Sequence, residues 1–282
     1  GNIIVTPSLN TLGGGGVASN YSFTFNALTV PVAKAVLTVG NATSVANKTY
    51  DGTTTAALSG GSLSGVLGSD SLTLVEAGTF ASVNAGTGIV VTAADTVTGT
   101  AANNYTITQP TGLTADITPK ALTVSGTSVA SKTYNGNTTA TLTGGTLVGV
   151  VTGDNVTLTQ AGTYASANAG TGIAVTAADT LNGTALTLGN YTLTQPTGLT
   201  GTINKANATV TASSGSATYD GSAHSVSGFT ATGLVNGETA SVLTSVTASA
   251  TGTNAGSYAS TASGTDTNYN LTFVNGALTI NK

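Results

Sequence analysis

Histidine occurs once in this 282-residue chain, at position 224, and cysteine does not occur at all. His224 follows Tyr219-Asp220-Gly221-Ser222, so a Ser-His-Asp arrangement is conceivable on a single turn. Nucleophilic catalysis of that kind needs a serine raised on a strained turn and a base held by a third group. No Gly-x-Ser-x-Gly elbow accompanies His224, and a solvated turn histidine is the plainer reading. The ten acidic residues are the other candidates. Glycoside hydrolysis needs two carboxylates in contrasting environments. The acids that recur, Asp70 with Asp154 and Asp95 with Asp179, follow Gly/Ser turns or Ala-Ala strand ends, where aspartate ordinarily caps backbone. Zinc and iron–sulfur centres require Cys or His clusters. The sequence therefore predicts no enzyme, and no catalytic, cofactor-binding or metal residue.

All six basic residues are lysines, scattered along the chain. A phosphate backbone is gripped by clustered Lys and Arg, so nucleic acid is not an expected partner. Lys48 and Lys132 recur at one position and read as solvated strand-edge lysines that discourage edge-to-edge pairing. Gly13-Gly14-Gly15-Gly16 lacks the Lys-Ser/Thr that completes a phosphate loop and reads as a hairpin tip. Charged residues are 6% of the chain, with a net charge of −4, against about 25% in an ordinary soluble domain. Solubility must come from the 59 threonines, the serines and asparagines, and exposed backbone. With 39% hydrophobic residues in strand-like alternation, the chain is not a disordered one. No apolar run reaches the roughly 18 residues of a membrane helix, and no charged leader opens the chain at Gly1. The expectation is a fragment of something longer, with no membrane insertion.

The organisation that must position any site is a repeat. Lys48-Thr49-Tyr50-Asp51-Gly52 returns as Lys132-Thr133-Tyr134-Asn135-Gly136 and again as Ala217-Thr218-Tyr219-Asp220-Gly221. Asn84-Ala85-Gly86 returns at Asn168-Ala169-Gly170 and Asn254-Ala255-Gly256, and Asn104-Tyr105 at Asn190-Tyr191 and Asn268-Tyr269. Residues 48–99 and 132–183 agree at 34 of 52 positions. Lysine junctions at Lys34, Lys120 and Lys205 set the expected modules: 35–119, 120–204 and 205–282. Residues 1–34 carry Asn20-Tyr21 in the same frame and read as the second half of a truncated repeat. A permuted structural frame, in which this segment completes a domain, is the alternative.

Within a unit the pattern is strand, turn, strand. Leu122-Thr123-Val124, Ile173-Ala174-Val175 and Tyr191-Thr192-Leu193-Thr194 carry β-branched residues, separated by turns such as Asn135-Gly136 and Gly153-Asp154. Asn275-Gly276 between Leu271-Thr272-Phe273-Val274 and Ala277-Leu278-Thr279-Ile280 reads as a hairpin. No apolar period of 3.6 persists over a helix length. The fold class predicted is all-β: a tandem array of small immunoglobulin-like sandwiches forming a rod, with β-grasp-like modules as the alternative. The recurring tyrosines are Tyr50, Tyr134 and Tyr219, and Tyr21, Tyr105, Tyr191 and Tyr269; Phe80 and Tyr164 share a third position. They are the structural repeat positions, read as core rings with tethered hydroxyls. Carbohydrate stacking is the alternative use of the same rings.

On the Lys-Thr-Tyr-Asp-Gly, Asn-Ala-Gly-Thr-Gly and Asn-Tyr motifs, the chain resembles the tandem YDG-type and MBG-type repeats of large bacterial surface proteins. These are filamentous-haemagglutinin-like adhesins of two-partner secretion. Units 35–119 and 120–204 resemble the YDG type, and 205–282 the MBG type through Ala217-Thr218-Tyr219-Asp220-Gly221 and Asn254-Ala255-Gly256-Ser257-Tyr258. The resemblance implies an extracellular, outer-membrane-associated stalk or spacer in an adhesin, with neighbouring repeats of the same chain as its first partners. Host or matrix glycans and lateral self-association into a biofilm scaffold are the alternative partners. Calcium, which stiffens many extracellular β arrays, would need clustered acids, and no two acids here lie within four residues. The expected cofactor is none.

Overall fold

Threonine alternating with Val, Ile, Leu or Ala gives each strand one face for the core and one for water. The computed structural model describes residues 2–7, 24, 26–40 and 43–282. Tyr21, Asn20 and the glycine run at 13–16 lie outside these residues. Strands dominate: the helices among the described residues are the short segments Ala102–Asn104, Ala185–Leu188 and Ala240–Val242. The chain divides into two compact units, Gly1–Lys120 and Ala121–Lys282. The first holds the antiparallel pair Asn2–Val5 with Leu28–Pro31 and one complete module. The second holds two modules.

All three modules share the same two main sheets, to which the first and second each add two two-stranded ribbons. In the third, a five-stranded sheet runs Gly215–Thr218, Gly276–Asn281, Gly256–Ser263, Thr247–Gly252, His224–Ser227. Facing it is a three-stranded sheet in which Ala206–Ala212 lies between Phe229–Thr232 and Tyr269–Val274. The module's first strand runs parallel to its tyrosine strand, with Ala206 opposite Tyr269 and Val210 opposite Phe273. Leu278 and Ile280 of the last strand pair in parallel with Gly215 and Ala217. The same pairings tie Ala35–Val39 to Tyr105–Thr108, and Lys48–Thr49 to Thr114–Thr118, in the first module. The modules are therefore two-sheet sandwiches. A module's first and last strands lie in different sheets, and no described helix packs across either sheet as a β-grasp would require.

One sequence expectation fails at Asn275-Gly276. Tyr269–Val274 and Gly276–Asn281 do not pair with each other; the chain crosses there from one sheet to the other. The glycine answers to crowding rather than to hairpin geometry. A Cβ on Gly276 would collide with the carbonyl oxygens of Ala212 and Ser213.

The third recurring ring lies in its own module's core, with Phe80 and Tyr164 each 2% exposed. Tyr164 donates its hydroxyl to the carbonyl of Ala130 at 3.1 Å. An added Cβ on Gly201 would lie 2.6 Å from that hydroxyl oxygen. In the first module the ring is Phe80, which has no hydroxyl, and the position corresponding to Gly201 is Ala115. Ring and neighbour are matched in volume. Gly201→Ala is expected to destabilise by about 1–3 kcal/mol through overpacking, and Tyr164→Phe in the same chain to recover part of that, since Val129 also lies 2.6 Å from the added Cβ. Denaturant unfolding of the two single variants and the double variant measures the coupling.

Asp95 and Asp179 also depart from the turn-cap reading. Each is buried. Asp179 accepts the Ala161 amide at 3.0 Å, while its own backbone exchanges hydrogen bonds with the Gln195 side chain at 2.9 and 2.8 Å. Asp95 does the same with Ala77 and Gln109. These carboxylates pin strand ends from inside the sandwich.

Candidate functional site: the joint between the second and third modules

The Tyr-x-Gly turn begins on a short strand and is closed by lysine. Lys132 Nζ donates to Asn135 Oδ1 at 3.0 Å, to the Asn137 carbonyl at 2.6 Å and to Asn137 Oδ1 at 2.8 Å, and lies 5.5 Å from the Tyr164 ring centre. Lys48 repeats this, with Asp51 Oδ1 at 2.7 Å, the Thr53 carbonyl at 2.8 Å and the Phe80 ring at 5.7 Å. The two lysines are loop clamps rather than solvated edge lysines: the ammonium has more acceptors in the turn than a strand edge offers. Burial pushes Lys132 below the ordinary lysine value. Burial opposes ionisation of Asp51, but hydrogen bonds from Lys48 and Thr53 outweigh it and hold the carboxyl at about 2. The third module has Ala217 in place of the lysine, and its turn is closed by Asp220, which accepts from the Ser222 amide at 2.8 Å and lies 3.0 Å from His224 Nε2. Ser222, His224 and Asp220 thus share one exposed turn, and the histidine–carboxylate pair closes it.

Held this way, Tyr134 projects from the second module into the third. Its hydroxyl donates to Glu238 Oε1 at 2.5 Å, and Tyr269 donates to Glu238 Oε2 at 2.5 Å. The two rings meet edge to face with centroids 5.4 Å apart. Tyr269 in turn accepts the Val235 amide at 3.0 Å. Asn236, at φ 55°, brings its side chain onto the turn. A Cβ on Gly136 (φ +75°) would sit 2.8 Å from Asn236 Cβ, so this turn needs glycine for both its fold and its approach. The Asn-Ala-Gly motif makes the second contact: Asn268 Oδ1 accepts the Ala169 amide at 2.9 Å, and Asn268 Nδ2 donates to Asn168 Oδ1 at 3.2 Å. Around these polar groups one apolar core runs through both modules, from Tyr134, Tyr164 and Ile203 to Val210, Leu243 and Tyr269.

The tyrosine–carboxylate bond is itself a repeated element. Tyr105 donates to Asp70 Oδ2 at 2.7 Å and accepts the Leu67 amide at 3.0 Å. Tyr191 donates to Asp154 Oδ2 at 2.6 Å and accepts the Val151 amide at 2.9 Å. Asp70 and Asp154 are acceptors for tyrosine rather than only turn residues. Glu238 and Asn236 escape a reading by motif, whereas Asn268 lies in the recurring Asn-Tyr pair. A signal for Glu238 is present: Leu234-Val235-Asn236-Gly237-Glu238 parallels Val150-Val151-Thr152-Gly153-Asp154 and Val66-Leu67-Gly68-Ser69-Asp70.

Tyr50, Tyr134, Tyr105, Tyr191 and Tyr269 are all buried, as their recurrence predicts. Tyr219 departs from that expectation, being 50% exposed. Its backbone is fixed as in the other copies, since Tyr219 N donates to the Asn281 carbonyl at 2.9 Å and Tyr134 N to that of Asn204 at 2.7 Å. The ring lies outside the sandwich in this frame, so its burial depends on an adjoining module and not on its own.

Residues 33–112 and 118–198 match the YDG domain, together more than half of the chain. The chain belongs to the YDG domain family. Its third module, over residues 208–279, matches the MBG domain of the YGX type. No curated protein and no solved structure matches this chain. The joint described above thus links a YDG domain to an MBG domain, and each contributes motifs that the other domain type also carries.

Alkaline pH tests the joint. The hydrogen bond to Glu238, with burial adding to it, raises Tyr134 to about 12. Burial first, then the hydrogen bond to Glu238, raises Tyr269 to about 12. Tyrosine in an unfolded chain titrates near 10, so between these values the folded state keeps protons that the unfolded state releases. The stabilisation is complete below about pH 10 and is lost as pH climbs toward 12. Melting temperature followed alongside phenolate absorbance is expected to fall over that interval. Tyr134→Phe should flatten the fall.

Proposed function

We propose that this chain is a stalk segment of a large bacterial cell-surface or secreted adhesin of the filamentous-haemagglutinin-like, two-partner-secretion kind, holding a binding region away from the outer membrane. The observation that carries the reading is where the repeated residues go. Apart from the exposed Tyr219 and Asn254, the described tyrosines, lysines and asparagines quoted in the motifs supply sandwich cores, loop clamps and the joint between modules. Copies that multiply a ligand site must keep its polar groups, whereas copies that extend a support must keep only fold and junction. The YDG copies differ at Asp51/Asn135 and Glu76/Gln160, and in each pair the second residue keeps one hydrogen bond of the first, from the motif lysine or from a glycine amide.

The segment has no catalytic step and no cofactor in this reading. Among the described residues no three His, Asp or Glu side chains come together as a metal site, and no described helix is long and apolar enough to cross a membrane. Binding of host or matrix glycans by the repeat rings ranks lower, because stacking needs an exposed face and, of the described repeat tyrosines, only Tyr219 offers one. Small-angle scattering on a chain carrying an additional copy of residues 120–204 tests the stalk reading. The maximum dimension is expected to grow by about 30–40 Å, the width of a domain this long. Growth in cross-section without growth in length overturns it.

A further inference from the structure

We propose that Tyr134 and Tyr269 form a preset site of oxidative cross-linking, at which loss of one electron from each ring joins the two by a carbon–carbon bond and locks the second module covalently to the third. Cysteine and methionine, which ordinarily yield first to oxidants, are absent from the chain, and so is tryptophan. One-electron oxidation is therefore directed to the nine tyrosines. Within that set this pair combines a proton acceptor, ring contact and a productive orientation.

A neutral phenol gives up an electron readily when its proton leaves at the same time. Both phenols are pushed up to about 12 and so are protonated at neutral pH. Each donates at 2.5 Å to Glu238, one to Oε1 and one to Oε2. Tyr164 and Tyr258 donate to backbone carbonyls instead, which are much weaker bases than a carboxylate. Glu238 is half-buried, so it hands each proton on to water. Tyr269 forms part of the wall of a surface groove of about 250 Å³, together with Lys205, Asp266 and Asn270. An oxidant in that groove is close to the pair.

The unpaired electron of a phenoxyl radical is shared between the oxygen and the ring carbons ortho and para to it. In tyrosine the para carbon carries the side chain, so two such radicals join through ortho carbons, each next to a hydroxyl. Hydroxyls that meet on one carboxylate bring those carbons together. The ring centroids are 5.4 Å apart with the planes at 80°, a contact distance for aromatic pairs. A biaryl with hydroxyls flanking the new bond is itself twisted rather than flat. After coupling, the hydrogen on each joined carbon moves to the neighbouring oxygen and restores both phenols. The balance is two electrons to the oxidant, two protons through Glu238 to water, and one new carbon–carbon bond. The oxidant is a one-electron acceptor of the class that a peroxide-fed haem peroxidase provides.

Photo-oxidation of the whole chain with tris-bipyridyl ruthenium and persulfate tests the site. Trypsin with a protease that cuts after Asp and Glu leaves Tyr134 as the one tyrosine of peptide 133–154 and Tyr269 as that of 267–282. From the monomer band, mass spectrometry is expected to find these two peptides linked, lighter by two hydrogen atoms than their sum. Oxidation in urea should lower the yield by about tenfold or more, because the fold supplies the effective concentration. Glu238→Gln, shown by its melting curve to be folded, keeps the side-chain size but loses the proton acceptor. It should also lower the yield by about tenfold or more. Tyr219, alone in peptide 206–220 and exposed, reports the background of random coupling to Tyr134. A Tyr134–Tyr269 link no more abundant than that background, or one unchanged by urea or by Glu238→Gln, overturns the proposal.

Discussion

Tyr134→Ala is expected to destabilise the chain by about 3–5 kcal/mol, the range for removing a large ring from a core. The ring is 6% exposed, lies edge to face with Tyr269 and donates to Glu238. In a repeat array whose units touch only at narrow interfaces, such a loss stays near the altered unit. Here the ring belongs to a core running through two modules, so the third module should lose stability with the second. Tyr219→Ala removes the same side chain from the same turn and should change stability by no more than about 0.5 kcal/mol, as at other exposed positions. Urea unfolding of both variants decides the matter. Equal losses at the two positions would mean that recurrence, and not the joint, sets the value of the ring.

Glu238→Ala is expected to cost about 3 kcal/mol, because it strands two buried hydroxyls that each donate to a carboxylate oxygen, and hydrogen bonds to charged groups contribute about 1.5–3 kcal/mol each. Water entering the space left by the side chain offsets part of the sum. Glu238→Gln keeps one carbonyl oxygen as acceptor and should recover about half of the loss. The pairing is isolated by a double-mutant cycle of Glu238→Gln with Tyr134→Phe. A coupling of about 0.5–3 kcal/mol is expected for residues in one hydrogen-bonded network. Additive effects would show that the two modules are held by apolar contact alone, and the alkaline weakening of the joint would then lose its cause.

Much of the architecture is legible before any coordinates. Alternation of threonine with small and branched apolar residues sets strands, and the absence of a helical period keeps long helices out. Recurrence of the tyrosines predicts a core ring at every copy; Tyr50, Tyr105, Tyr134, Tyr191 and Tyr269 are buried, whereas Tyr219 is not, because no part of its own module covers the ring. The Asn275-Gly276 hairpin fails for a reason that local sequence does not carry. Which strand pairs with which depends on partners many residues away, here Ala206–Ala212 on one side and Gly256–Ser263 on the other. Lys48 and Lys132 likewise read as edge residues until the turn closes around their ammonium groups.

By itself, the sequence determined that this chain is a tandem all-β array of YDG and MBG modules whose motifs are built from tyrosine, asparagine and glycine. Periodicity and repetition are properties of the chain read along its length, and they need no third dimension. Only the tertiary structure decided what the motifs are for. The Tyr-x-Gly turn and the Asn-Ala-Gly segment lie far apart in each repeat, and folding brings them to one end of a sandwich. Glu238 and Asn268, which receive them, belong to the next module and recur under different identities or inside another motif. Whether a tyrosine is a core ring, a joint or an exposed ring depends on what stands against it, and for Tyr134 and Tyr219 that neighbour is the whole difference.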